Sequence, residues 1–298
     1  TSSVAFKMTL VLDAIAEARR SFTEARLLQD IERTRVWAKE HNTAPLAHVL
    51  HAGALQAYGG YFRGDGFANT VPPQAWKVYE EYVRKGGAYL LENEGVASKS
   101  TTWHMWALIT ARAAGWPRDV VQRIFEAGVA QSPADFTLYR HAMEYFLPKW
   151  HGDAQAVDGF IRNAITRAPS EYGMELYARL YSGAGELHFG RRLYSDTLVD
   201  WKQMKEGLEL WYRRFPTAWN KNIFAYHACI AADKPAAKRL LDEIGGDAEW
   251  QVWQPGAKAT WETCVRWAAE PEAEPTAPPK PASEQGQRAG RAESRPAA

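Results

Sequence analysis

Along most of the chain, apolar residues return at spacings of i, i+3, i+4 and i+7, and no segment sustains the alternation of a half-buried strand. This pattern predicts an all-α protein. A first helix is expected over about residues 8 to 20. Ser21 followed by Glu24 has capping-box spacing, in which hydroxyl and carboxylate satisfy each other's orphan amides. A second helix is therefore expected to start there, to carry Leu27, Leu28, Ile31 and Ala38 on one side, and to fray at "HNTAP". Pro45, suited to a first turn, opens a third helix whose apolar face is Leu46, Val49, Leu50, Gly53 and Ala57. The next stretch, "AYGGYFRGDGFANTVPPQAW" (57–76), reads as a loop between helices. Gly59, Gly60, Gly64 and Gly66 permit backbone angles closed to other residues, and Thr70 is placed to cap a helix restarting at "VPPQAW".

Farther along, the stripes repeat. "VVQRIFEAGVAQSP" (120–133) superimposes on "AVDGFIRNAITRAP" (156–169) with a shift of 36 residues. Val121 falls on Val157, Ile124 on Phe160, Phe125 on Ile161, Gly128 on Ala164, Val129 on Ile165 and Pro133 on Pro169. A third copy, "MKEGLELWYRRFP", keeps Met204, Leu208, Trp211, Tyr212 and Pro216 after a longer connection through "GELHFGRRLYSDTL". Each copy follows another amphipathic segment: "WHMWALITARAAG", "FTLYRHAMEYFL" and "MELYARLYSGAG". "NIFAYHACIAAD" leading into "PAAKRLLDEIGG" forms a last pair. At "LPKWHGD", Pro148 stops one helix, Gly152 lets the chain turn and Asp153 caps the next.

Helix pairs recurring at about 34 to 36 residues are the tetratricopeptide-like signature. The expected architecture is a helical-repeat superhelix, an α-solenoid with a concave face. N-terminal helices (1–60) are expected to pack on the repeats and to be continuous with a repeat domain over 61–269. From Glu270 the chain is rich in Pro, Ala and mixed charge and lacks large apolar residues, so 270–298 is predicted to be a disordered tail.

With 298 residues, 46% of them hydrophobic, there is material for a sizeable core. Lys and Arg number 36 and Asp and Glu 35, a net charge of +1, so no global field draws in nucleic acid or an anionic membrane. No nucleic-acid partner is expected. No apolar run approaches the roughly 20 residues of a membrane span, and "MTLVLDAIA" is interrupted by Asp13. The composition is that of a soluble globular protein.

The stretches "YFRGDGFANTVPPQAWKVYEEYV", "LYRHAMEYFLPKWHGD", "MELYARLY" and "NIFAYHACIAADK", in this order, resemble a bacterial family known as domain of unknown function 4034. The resemblance covers about residues 55 to 246, and the family pattern has a small residue where His151 stands here. It implies a helical-repeat fold and a bacterial source, and it implies no activity. The chain begins at Thr1, which leaves open both the bacterial cytoplasm and export with a leader removed.

Cys229 and Cys264 lack the spacing of a zinc or redox motif. Cys229, inside "FAYHACIAA", reads as a small buried apolar residue, and a bridge to Cys264 suits the exported case. His48 and His51 lie three apart on a helix, as a metal pair might, but there is no His-Glu-x-x-His. They face away from Leu46 and Leu50 and are read as solvated. His227, two residues from Cys229, points to another side of its helix and forms no dyad with it. Ser98, Ser100, Ser132 and Ser170 lie in caps and loops without a nucleophile elbow, and Glu92 and Glu94 read as solvated at a helix end. The glycine-rich loop lacks the Lys and Ser/Thr of a phosphate-binding loop, and Arg63-Gly64-Asp65 is too short to signify adhesion. No catalytic set, metal or cofactor is expected.

Binding has more support. "WHMW", "KWHGD", "LYARLY" and "PTAWNKN" place Trp103, Trp106, Trp150, Tyr177, Arg179, Trp219 and Asn222 at or near repeat junctions, and Arg63 lies in the glycine-rich stretch. Aromatic residues and arginine are the usual anchors of recognition surfaces, although the same rings at helical spacing also serve as core. Arg179 reads equally well as the anchor of a carboxylate inside the stack. The expected function is non-enzymatic binding of a protein or peptide partner, as an adaptor, assembly factor or toxin-neutralising protein. The alternative is a hydrolase or lyase with a polar site in the concave face, near Arg63, Asp65 and the histidines.

Overall fold

The helical periodicity is realised along the chain. The computed structural model describes residues 11–271 apart from 13 and 255, and among these there is no strand. After α1 (14–20) come α2 (Glu24–Glu40), α3 (Pro45–Arg63), α4 (Pro73–Glu92), the short α5 (Glu94–Ala97) and α6 (Thr101–Ala114). The middle of the chain forms α7 (Arg118–Gln131), α8 (Phe136–Tyr145), α9 (Ala154–Arg167) and α10 (Gly173–Ala184). The last part forms the short α11 (Leu193–Asp196), α12 (Trp201–Arg214), α13 (Ala218–Ile230), α14 (Lys234–Ile244) and α15 (Ala257–Ala269). No described helix is long and apolar enough to cross a membrane. The tail expected from 270 lies, beyond residue 271, outside the described residues.

Short polar side chains set many of the helix starts. Asp135, Asp153, Asp200, Thr217 and Asp233 each accept a hydrogen bond from a backbone N–H in the first turn that follows. Asp153 is the cap expected from "LPKWHGD", and the glycine before it is required. A Cβ on Gly152 would lie 2.2 Å from the Phe146 carbonyl oxygen.

Two expected caps are corrected. Thr23, not Ser21, caps α2, accepting from the Arg26 N–H at 3.3 Å, while the Ser21 hydroxyl turns back to the Ala18 carbonyl. Thr70 does not cap α4; its hydroxyl donates to the Phe67 carbonyl inside a single 3-10 turn, and Pro73 opens the helix at its first position. The expected loop from 57 is also shorter. α3 runs on through Gly59 and Gly60 to Arg63 and is ended by Gly64, at φ 63°.

The repeated stripes fall on α7, α9 and α12. Val121, Ile124, Phe125, Gly128 and Val129 are buried on α7, Val157, Ile161 and Ala164 on α9, and Met204, Gly207 and Leu208 on α12. The rings of Phe125 and Phe160 lie 5.1 Å apart, and Phe160 stacks on Phe146 at 5.1 Å. The partner helices make their own row, α6 against α8 and α8 against α10, with α7 touching α6 and α8 and α9 touching α8 and α10. Then α12 packs on α10 and α13, α13 on α14, and α14 on α15.

At two of the most extensive helix contacts, backbone meets backbone across a glycine. Between α3 and α4, a Cβ on Gly59 would stand 3.2 Å from the Tyr79 carbonyl oxygen, and one on Gly86 3.1 Å from that of Ala52. Between α10 and α12, a Cβ on Gly207 would stand 2.0 Å from the Met174 carbonyl oxygen. These glycines are spacers between helices, not hinges.

Cys229 on α13 is disulfide-bonded to Cys264 on α15, with Cα atoms 6.0 Å apart. Cys229 is thus not the simple buried apolar residue its neighbours suggest. A bridge of this sequence separation, 35 residues, stabilises the fold by about 3–4 kcal/mol in chain-entropy terms.

Gly207→Ala is expected to lower stability by about 1–3 kcal/mol or more, because overpacking meets unyielding backbone. Gly159, with nothing within 4 Å of its would-be Cβ, is the control, and Gly159→Ala should gain up to about 1 kcal/mol from helix propensity. Urea denaturation of both variants measures the difference, and equal midpoints would contradict the crossing.

Candidate binding cavity

Between α10 and α12 the chain does not turn directly from one helix into the next. The end of α10 widens into a π turn (Gly185–Phe189), passes through Gly190 at φ 56° and a 3-10 turn, and reaches α12 by way of α11. Single π turns inside helices often accompany functional sites, because they redirect side chains. Here the turn forms part of the wall of an open cavity of about 710 Å³, a size suited to a peptide segment or small ligand. α8, α10, α12, α13 and the segment Gln251–Gln254 complete the lining.

Its apolar walls are Phe136, Trp211, Trp219, Ile223 and Tyr226. Trp219 is 40% exposed, and Trp211 and Ile223 are half-buried. Its charged groups are Arg140, Arg179 and Glu186. The Arg179 guanidinium lies 3.8 Å from the centre of the Phe136 ring on α8 and 5.5 Å from that of Trp211 on α12.

Behind the cavity two buried carboxylates hold the arginines in place. Glu175, fully buried, accepts from Arg179 Nη1 at 3.3 Å, and Arg214 Nε lies 3.1 Å from its other oxygen. Glu144 accepts from Arg140 Nε at 3.2 Å and pairs with Arg112. Burial pulls Arg179 below its ordinary pKa despite Glu175, and burial does the same to Arg112. Desolvation and the neighbouring arginines push His141, beside Glu144, down to about 3. It is neutral at physiological pH and offsets none of these charges.

At the cavity floor, Ser182 Oγ lies 3.0 Å from His227 Nε2, and the Tyr194 hydroxyl 3.3 Å from Nδ1. One ring nitrogen carries the proton and donates while the other accepts. Serine, histidine and an orienting hydroxyl resemble a nucleophile with its base, but two facts oppose that use. Burial holds His227 down to about 3, far from the pKa at which a general base is effective. Ser182 lies within α10, whose own backbone N–H groups are engaged in the helix and so do not form an oxyanion hole for it.

Of the eight candidate binding residues, the cavity collects Arg179 and Trp219. Trp103 is fully buried, its indole N–H donating to the Leu90 carbonyl. Tyr177 is fully buried, its hydroxyl accepting from the Asp200 N–H, which holds the start of α12. Asn222, 1% exposed, accepts from Trp253 Nε1 and the Glu249 N–H and so fastens the segment before α15. These three are structural because each polar group satisfies a buried backbone or indole partner.

Trp106 is half-buried, 3.0 Å from where a Gly53 Cβ would stand. Trp150 is partly exposed under Arg112, away from the cavity. Arg63 folds back on the carbonyls of Gly64 and Gly66, over Trp76.

The histidine assignment is corrected. His48 and His51 are buried, not solvated. His48 is bonded to the Asn42 carbonyl and the Tyr89 hydroxyl, and His51 to Thr34 Oγ1. The reason is that α3 packs against both α2 and α4, so more than one of its faces is covered. Arg63 and Asp65 therefore share no site with them. No three His, Cys, Asp or Glu side chains among the described residues are placed to hold a metal.

Phe136, Arg140, Trp211 and Tyr226 escaped sequence reasoning. The available signal was Trp211, standing in the third copy where the first two have Gly128 and Ala164. No protein family, curated protein or solved structure matches the chain.

His227 generates a pH dependence. Its folded pKa of about 3 lies below the unfolded value of about 6.5, so protonation favours the unfolded chain. The group costs nothing above pH 6.5, and stability falls as pH drops from there toward 3, by up to about 1.4 kcal/mol per unit. Urea midpoints at pH 7 and pH 5 should show this loss in the wild type and a smaller one in His227→Gln. Equal losses would mean that His227 titrates normally.

Proposed function

We propose that the protein is a non-enzymatic binding protein that receives a peptide or a segment of a protein partner in the cavity between α8, α10, α12 and α13. The observation that carries this reading is an open cavity of about 710 Å³ in which partly exposed aromatic side chains surround two arginines. Aromatic residues dominate binding energies because they bury much area at low conformational cost, and arginine because its planar group stacks and forms charge-assisted hydrogen bonds.

The scaffold is read as a tetratricopeptide-like superhelix. The support is the stripe shared by α7, α9 and α12 and the row of partner helices α6, α8 and α10. The stretches read in the sequence as resembling the bacterial domain-of-unknown-function 4034 family would fit such a scaffold. A disulfide between α13 and α15 suits an oxidising compartment, which favours the exported form of the reading. Adaptor, assembly factor and toxin-neutralising protein are roles such a cavity serves.

The test is a peptide-array screen of the wild type, Trp219→Ala and Phe67→Ala. Trp219→Ala should weaken peptides that bind the wild type by at least about 30-fold, the usual cost of a central tryptophan. Phe67→Ala, altering an 84% exposed side chain on the α3–α4 connection, should leave them unchanged. Equal binding by all three proteins would remove the cavity from the reading.

A second reading, a hydrolase in the same cavity, draws on the Ser182–His227 contact. A fluorophosphonate probe decides between the two. With His227 this weak a base, Ser182 is expected to stay unlabelled at pH 7.5, and labelling abolished by Ser182→Ala would establish the hydrolase.

A further inference from the structure

We propose that the cavity recognises a carboxylate on its peptide ligand, gripped between Arg179 and Arg140, with a neighbouring aromatic or large aliphatic residue against Trp219 and Tyr226. This rests on the binding reading above and names the chemistry of the partner.

The Arg179 guanidinium has one ring against it from α8 and another from α12. A guanidinium donates hydrogen bonds only in its own plane. Within that plane Nη1 is occupied by Glu175, while Nε is buried and has no hydrogen-bond partner among the described residues. Arg140 is anchored through Nε to Glu144, and its Nη2 stands 3.8 Å from Glu186, beyond hydrogen-bonding distance. Both side chains line the cavity, and a ligand carboxylate that reached Arg179 Nε or took the place of Glu186 at Arg140 Nη2 would find a donor there.

The charges agree. Glu175 has two guanidinium groups beside it, Arg179 and Arg214, and Glu144 has Arg112 and Arg140. Arg112 and Arg140 share Glu144, and the second positive charge there is met at longer range, by Glu186 at 3.8 Å from Arg140 Nη2. Glu186, 66% exposed, is the one carboxylate among the described residues that line the cavity. It sits on the π turn near Arg140, and a ligand carboxylate bound to Arg140 would displace it.

His188 on the cavity wall is pushed down by burial and the nearby Lys149 and Arg192, and so gives an anion no charged competitor. A ligand carboxylate, like Glu175, would act against the burial that lowers Arg179. Carboxylate and guanidinium edges match in a bidentate pair, stronger in a half-buried site than in water.

The probes are hexapeptides holding one Trp or Leu, each made with Glu or Gln beside it and with a free or amidated C-terminus. Affinity is read by fluorescence anisotropy. A side-chain ligand predicts at least tenfold tighter binding of Glu over Gln forms, and a terminal ligand predicts the same gain for the free over the amidated form. Either preference supports the proposal and identifies the source.

Arg140→Gln should reduce that preference at least tenfold while sparing the neutral peptides. Since Arg179→Gln alone would leave Glu175 short of a partner, the double variant Glu175→Gln/Arg179→Gln is the second arm. Thermal melts establish that both variants are folded. Equal affinity of charged and neutral peptides, still lost in Trp219→Ala, would overturn the carboxylate and leave the binding reading standing. An unchanged preference in both folded variants would also overturn it. Failure of every peptide to bind the wild type would overturn the binding reading and this inference together.

Discussion

The contact between Gly207 and the Met174 carbonyl lets α12 lie directly on the backbone of α10. Any side chain at 207 would push the helices apart, and the cavity depends on their closeness. One turn after Gly207, Trp211 then reaches the Arg179 guanidinium. In the earlier copies the corresponding positions are Gly128 and Ala164, both buried and small. The third copy moves its small residue one turn toward the helix start and turns a tryptophan onto an arginine. The cavity thus lies where the third stripe differs from the first two, and the segment after α10 supplies part of its wall.

Electrostatics on this scaffold is organised by burial. Glu144 and Glu175 would be costly to bury alone, and each is tolerated because two arginines approach it. The same arrangement fixes the arginines in position, which spares a ligand the entropy of ordering them. Histidines nearby stay neutral, His141 and His227 both held down to about 3. The Ser182–His227–Tyr194 chain then acts as a rigid link between α10, α11 and α13, a satisfied buried network and not a proton shuttle.

The far wall is held from the C-terminal side. Asn222 fastens the backbone at Glu249 and the indole of Trp253, which packs edge-on against Trp261 at 4.8 Å and Tyr226 at 5.7 Å. The disulfide then ties α15 to α13. Because Gln251–Gln254 lines the cavity, these contacts hold one of its walls in shape.

Periodicity alone established the helices, the shared stripe of α7, α9 and α12, and the turn at Asp153. These depend on neighbours a few residues apart, and such spacing is written directly in the chain. Ser21 misled because a cap depends on which of two nearby hydroxyls reaches the first free N–H, and Thr70 because its hydroxyl turns into a 3-10 turn while a proline opens α4 without a side-chain cap. His48 and His51 were misplaced because burial depends on how many helices cover α3, and periodicity sees one face at a time. The cavity lay beyond reach for the same reason. Phe136, Arg179, Trp211 and Tyr226 come from four helices, and only the packing of those helices puts two rings beside one guanidinium. Distance along the chain carries no information about that meeting.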